Sequence, residues 1–155
     1  STTSPSKVEQ CKANGCDYVI DTREAGWENK VRDITGGKGV PVVYDSIGKV
    51  TFLPGLDCLS PRGIMVTYGN ASGPVDPFSP AILSQKGSLF VTRPTLMHYT
   101  RTPEELQETA DDLFAVLASG AVKIAVNQRY PLKDAAAAHD ALTSKRTTGA
   151  TILIP

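Results

Sequence analysis

Val42-Val43-Tyr44-Asp45-Ser46-Ile47-Gly48 and Gly63-Ile64-Met65-Val66-Thr67-Tyr68-Gly69-Asn70-Ala71-Ser72-Gly73 decide the fold. Each is an apolar run that stops in small polar residues and glycine, the pattern of a buried strand ending in a tight loop. In an open α/β sheet, ligands sit just beyond the carboxyl ends of the strands. These two ends, with one helical segment between them, predict two walls of a nucleotide crevice. A third strand, Ser88-Leu89-Phe90-Val91, leads into Thr92-Arg93, and a cation there suits an anionic ligand. The G-x-G-x-x-G turn that normally opens a dinucleotide site occurs nowhere in the chain.

Upstream, Ser4-Pro5-Ser6-Lys7 predicts a helix start, with Ser4 as N-cap and Pro5 at the first helical position. Val8 and Cys11 would face inward. Tyr18-Val19-Ile20-Asp21 reads as a short buried strand. Trp27, Val31 and Ile34 recur at helical spacing, and the glycines of Thr35-Gly36-Gly37-Lys38-Gly39 close that helix. A strand over 41–44 follows. Phe52, Leu56 and Leu59 predict a helix interrupted at Pro54, because proline disfavours a regular one. Pro61-Arg62-Gly63 predicts a turn into a strand over 64–68, and 79–85 a short helix.

The character changes after Arg93. Thr102-Pro103-Glu104-Glu105 is a capping box with proline at the first helical position. Leu106, Ala110, Leu113, Phe114 and Leu117 form an apolar stripe expected to pack in a core, and Gly120 stops the helix. A strand over 122–126, a helix over 135–145 and a strand over 150–153 complete the chain. Alternating strands and helices make the fold class α/β, with mainly parallel strands and crossover helices on both faces.

The chain has 155 residues, with 16 basic and 16 acidic side chains. That balance supplies no overall field for nucleic acid or a membrane surface. The longest apolar runs are strand-sized, so no membrane partner is expected, and no leader segment is visible. Serine at position 1 suggests a processed, cloned or truncated chain. Cys11, Cys16 and Cys58 are odd in number and lack metal-ligand spacing, which argues against a disulfide framework and a zinc site. Reduced cysteines point to the cytoplasm. His98 and His139 are expected to be surface or packing residues.

Several of these segments together resemble a known family. Thr35-Gly36-Gly37-Lys38-Gly39-Val40, Val43-Tyr44-Asp45-Ser46-Ile47-Gly48 and Leu56-Asp57-Cys58-Leu59 carry the resemblance. So do Tyr68-Gly69-Asn70-Ala71-Ser72-Gly73, Gly87-Ser88-Leu89-Phe90-Val91-Thr92-Arg93-Pro94, Arg129-Tyr130-Pro131-Leu132 and Ile152-Leu153-Ile154-Pro155. The family is the NADPH-dependent quinone oxidoreductases, the zeta-crystallin-like branch of the medium-chain dehydrogenases. The resemblance implies the C-terminal half of such an enzyme. Residues 1–93 would be a partial Rossmann domain, an incomplete parallel sheet flanked by helices. Residues 94–155 would be a segment returning to the catalytic domain. In the strand order 3-2-1-4-5-6 the absent first and second strands are central, and residues 18–21 would be the third. The sheet must then close its gap, exchange elements with another copy, or have its missing half elsewhere.

The resemblance also implies a site. Lys7, with hydroxyls and no acid nearby, would contact the ribose 2′-phosphate of NADPH; a solvated surface lysine is the competing reading. Thr22 stands where the family carries a tyrosine on that phosphate. The segments Asp45-Ser46 and Tyr68-Gly69-Asn70-Ala71-Ser72 would line the cofactor. Thr92, Arg93 and Arg146 would lie near its nicotinamide and phosphate end, surface charge being the alternative for each arginine. No nucleophile or acid–base pair stands out, which suits direct hydride transfer from a cofactor. The substrate would be a quinone or related enone. A homodimer would form through residues 88–91, and no metal is expected. The alternative function is a non-catalytic fragment or a dimerisation module.

Overall fold

In the computed structural model, which describes residues 5–144 and 147–155, the chain divides into two compact units, residues 1–98 and 99–155. The first opens with a 3-10 turn, Pro5–Lys7, and two helices, Val8–Ala13 (α1) and Trp27–Ile34 (α2). The expected N-cap Ser4 lies outside the described residues. Val40–Asp45 (β1), Leu59–Thr67 (β2) and Phe90–Thr92 (β3) then form a parallel sheet with β2 in the middle. Asp45 pairs with Thr67, and Val66 with Thr92, so all three strands end at the same level.

Helix α3 (Phe52–Asp57) connects β1 to β2, and α4 (Ala81–Gln85) precedes β3. The interruption expected at Pro54 does not occur. Pro54 is the third residue of α3, and first-turn N–H groups have no intrahelical acceptor, so its missing donor costs nothing. Phe52 and Leu56 of α3 are buried against Leu59, Met65 and Leu89, with Val40, Val43, Val75, Ile82, Leu83 and Val91 around them. The Phe52 and Phe78 rings lie 5.0 Å apart and tilted, a favourable aromatic geometry. Helix and sheet approach closely at Gly55, where a Cβ would meet Met65 Cε at 2.7 Å. The opposite sheet face is less covered: Tyr44 and Phe90 are 74% and 59% exposed.

Three sequence expectations fail in this unit. Residues 18–21 form no strand. Only Asp21 makes an isolated bridge and Tyr18 is exposed, so no continuous ladder of backbone hydrogen bonds runs along the segment. The predicted turn at 61–63 lies inside β2. Val40 pairs with Leu59 but Val42 with Ile64, so the extra residues bulge out, with Arg62 in the left-handed region at φ 60°. The strand expected over 88–91 begins at Phe90 instead, since Gly87 and Ser88 turn at positive φ.

The second unit holds α5 (Pro103–Ala118), β4 (Val126–Pro131), α6 (Ala135–Thr143) and β5 (Ala150–Ile154), with β4 parallel to β5. The capping box forms as read: Thr102 Oγ1 accepts from Glu105 N at 3.2 Å. Two expectations shift. The strand placed at 122–126 starts at Val126, where pairing with Ala150 begins. The α5 stripe is not core, because Leu106, Leu113 and Phe114 are each more than half exposed. The periodicity is real, but no described residue covers those side chains.

Candidate functional site

The carboxyl ends of β1 and β2 give rise to two loops, 46–51 and 68–73, that are laced together. Asp45, the last residue of β1, is buried. Its Oδ1 accepts from the N–H groups of Ile47 (2.9 Å) and Gly48 (3.2 Å) and from Thr51 Oγ1 (2.7 Å). This local turn is what aspartate at a strand end favours. The Asp45 carbonyl accepts from Tyr68 N at 2.9 Å and Gly69 N at 3.3 Å. Further along, Ser46 O accepts from Ala71 N at 3.3 Å, and Ile47 O from Ser72 N at 2.8 Å. Ser72 Oγ donates to Ile47 O at 2.8 Å and accepts from Val50 N at 3.1 Å. The Lys49 N–H donates to Gly73 O at 3.1 Å.

Glycine is required where the loops touch. A Cβ on Gly69 would lie 2.1 Å from Ser46 O, and one on Gly48 2.7 Å from Gly73 O. Gly48 also turns at φ 89°, which disfavours any side chain. Among the described residues, the buried Asp45 Oδ2 and Thr67 Oγ1 have no hydrogen-bond partner. They belong to residues paired across β1 and β2, which places unspent acceptor capacity beneath the two loops.

The third wall comes from the end of β3. Thr92 is exposed there. Arg93 Nη1 donates to the carbonyls of Thr67 (3.0 Å) and Gly69 (3.1 Å). With the Asn70 amide oriented to satisfy both its ends, Oδ1 accepts from Arg93 Nη2 at 3.2 Å and Nδ2 donates to Gly69 O at 2.8 Å. On the outer side of β1, Tyr18, Ile20, Trp27, Val31, Ile34 and Tyr44 line an apolar cleft of about 410 Å³ that reaches Asp45, Ser46 and Ile47.

Ser46, Gly69, Asn70, Ala71, Ser72 and Arg93 are thus joined in one hydrogen-bonded assembly. Tyr68 enters it through its backbone, and Thr92 through pairing with Val66. Lys7 sits on a separate segment, half-buried at the end of the 3-10 turn. Arg146 lies outside the described residues. Sequence reading singled out the glycine-bearing ends but missed Asp45 and Thr51 as the loop's anchors. Aspartate two residues before an Ile-Gly step was the available signal.

The described residues contain no group of three or more His, Cys, Asp or Glu able to hold a metal ion. All three cysteines are free. Burial pushes the Cys58 thiol up to about 11, with Glu28 and Asp57 adding to the rise, so it is no ready thiolate ligand.

The sequence profile of the zinc-binding dehydrogenases matches residues 14–153. Quinone oxidoreductase of Pseudomonas aeruginosa is 49% identical over 153 residues, covering 99% of this chain and 47% of that protein. For quinone oxidoreductase of Salmonella typhimurium the identity is 51%, covering 98% and 47%. The crystal structure of Escherichia coli quinone oxidoreductase complexed with NADPH superposes with a TM-score of 0.92 at 47% identity, covering 99% of this chain and 48% of that one. The chain therefore spans about half the length of the relatives it matches. Parallel Rossmann-type strands, their laced carboxyl ends and these matches agree: the chain belongs to the zinc-binding dehydrogenase family and corresponds to the C-terminal half of the quinone oxidoreductases.

Proposed function

We propose that the chain forms part of a full-length NADPH-dependent reductase of quinones or related enones, and supplies one wall of its cofactor site. The observation that carries this reading is the assembly at the ends of β1, β2 and β3, where ligands of open α/β sheets bind. The residues present fit a dinucleotide. Gly48 and Gly69 let the two loops pack backbone to backbone at the strand ends, and Tyr68, Asn70, Ala71 and Thr92 are exposed there. When bound, NADPH supplies the hydride. The chain's residues orient it and shape its surroundings. Ser46, Tyr68, Gly69, Asn70, Ala71, Ser72 and Thr92 would line it, with Lys7 on the 2′-phosphate. Among the described residues no cluster of His, Cys, Asp or Glu offers a zinc ion its ligands.

Lys7 provides the test. A charge-assisted hydrogen bond contributes about 1.5–3 kcal/mol. In the full-length reductase, Lys7→Glu is expected to weaken NADPH binding at least about tenfold while NADH loses much less. Fluorescence titration with both cofactors decides it, and equal losses refute the assignment. The 155-residue chain without a catalytic half is expected to show no quinone turnover near the enzyme median of about 10 per second.

The same reading makes the protein a homodimer through β3, the sheet edge opposite β1. An exposed edge invites pairing with another chain, and Phe90 on it is 59% exposed. Phe90→Pro removes a ladder donor and should shift the protein towards monomer. Light scattering that finds a monomer before any mutation rules this interface out. Free cysteines fit a cytoplasmic location, and among the described residues no helix is long and apolar enough to cross a membrane.

A further inference from the structure

We propose that Arg93 is a positioning residue that sets the turn 68–73, rather than a ligand for the cofactor's phosphates. The inference rests on the cofactor reading above for its consequence, but not for its geometry. The β2–β3 ladder ends at the Val66–Thr92 pair, and Pro94 has no N–H with which to extend it. The carbonyls that follow, on Thr67 and Gly69, would be left without ladder donors. The Arg93 guanidinium takes both, at 3.0 and 3.1 Å, and reaches the Asn70 amide at 3.2 Å. A planar fork is suited to several fixed acceptors at once, whereas an ammonium on a flexible stem is not.

The turn is held equally from the other side. The Asp45 carbonyl accepts from Tyr68 N and Gly69 N, while Asp45 Oδ1 fixes the loop against which Gly69 packs. Gly69 is therefore clasped between its N–H, tied to β1, and its carbonyl, tied to β3. A guanidinium aimed at backbone carbonyls is turned away from an anion. Its contribution to affinity would come from presenting the exposed backbone beyond Gly69 in one conformation, which lowers the ordering cost of binding.

The test compares Arg93→Lys and Arg93→Ala in the full-length reductase, with two readouts. Without cofactor, amide hydrogen exchange at residues 69–72 should accelerate at least about tenfold in both variants. With cofactor, both should lose about tenfold or more in NADPH affinity, with the salt dependence of binding unchanged from the parent and kcat at saturating NADPH largely retained. Restoration by lysine, or a shallower salt dependence in Arg93→Ala, overturns the proposal and makes Arg93 an anion ligand. Unchanged exchange in both variants also overturns it. If the parent binds no NADPH while exchange accelerates in both variants, the cofactor reading fails and the positioning role stands.

Discussion

Gly69→Ala is expected to cost the full-length reductase about a hundredfold in NADPH affinity and to lower its stability measurably. The cause is not backbone conformation but contact. The new Cβ would lie 2.1 Å from Ser46 O and 2.6 Å from the Ser46 carbonyl carbon and Cα. All three are backbone atoms, so no side chain can swing aside. Overpacking of this kind costs about 1–3 kcal/mol, and this site belongs at the upper end because both loops must separate. About 3 kcal/mol corresponds to about a hundredfold in affinity if the bound state needs the loops as they stand. Gly36→Ala is the control, since nothing lies within 4 Å of its Cβ. Gly36 turns at φ 58°, so the alanine should cost about 1–2 kcal/mol of stability through backbone strain while leaving affinity unchanged. Equal binding by Gly69→Ala and the parent in a fluorescence titration would show that the loop after β1 yields.

The largest effect on folding is expected from Phe52→Ala. Phe52 is 1% exposed and stands at the centre of the main core with Leu56, Leu59, Met65 and Leu89. Truncating a buried phenylalanine costs about 3–5 kcal/mol, partly as lost burial and partly as a cavity. Its ring also contacts Phe78. Domains retain only about 5–15 kcal/mol in total, so this variant should be largely unfolded or strongly destabilised. Urea unfolding followed by circular dichroism measures it. Phe78→Ala, at the exposed partner ring, should cost clearly less. A loss below about 1 kcal/mol for Phe52→Ala would mean that the core collapses around the missing ring.

The sequence yielded those elements whose partners lie nearby along the chain. Val42 and Val43, then Met65 and Val66, are apolar runs ending in glycine, and they became β1 and β2 with their ends aligned. The capping box at Thr102 is likewise local, and it formed. Residues 18–21 carry similar strand propensity but yield only the isolated bridge at Asp21, because a ladder is a property of two segments and not of one. The α5 stripe failed for a related reason. Helical period identifies which side chains share a face, not what will cover them. At the site, the glycine-bearing strand ends were legible as places where backbone packs closely against backbone. The parts played by Asp45 and Arg93 were not. Arg93 reaches main-chain carbonyls up to 26 residues away, and nothing in its identity announces which. The Asp45 turn had a local signal, but the reach of its own carbonyl to Tyr68 and Gly69 did not.

The lacing of the loops at 46–51 and 68–73 constrains how this half of the protein can diversify. Gly48, Gly69 and Ser72 answer to one another, so a change at one is tolerated only with a matching change across the seam, and such positions should drift together or not at all. Tyr68 and Ala71 are different, because their backbone is committed while their side chains are exposed. A library that randomises 68–73 should therefore recover glycine at 69 almost without exception and accept many residues at 68 and 71. New ligand preferences would be won by decorating a fixed turn, not by reshaping it.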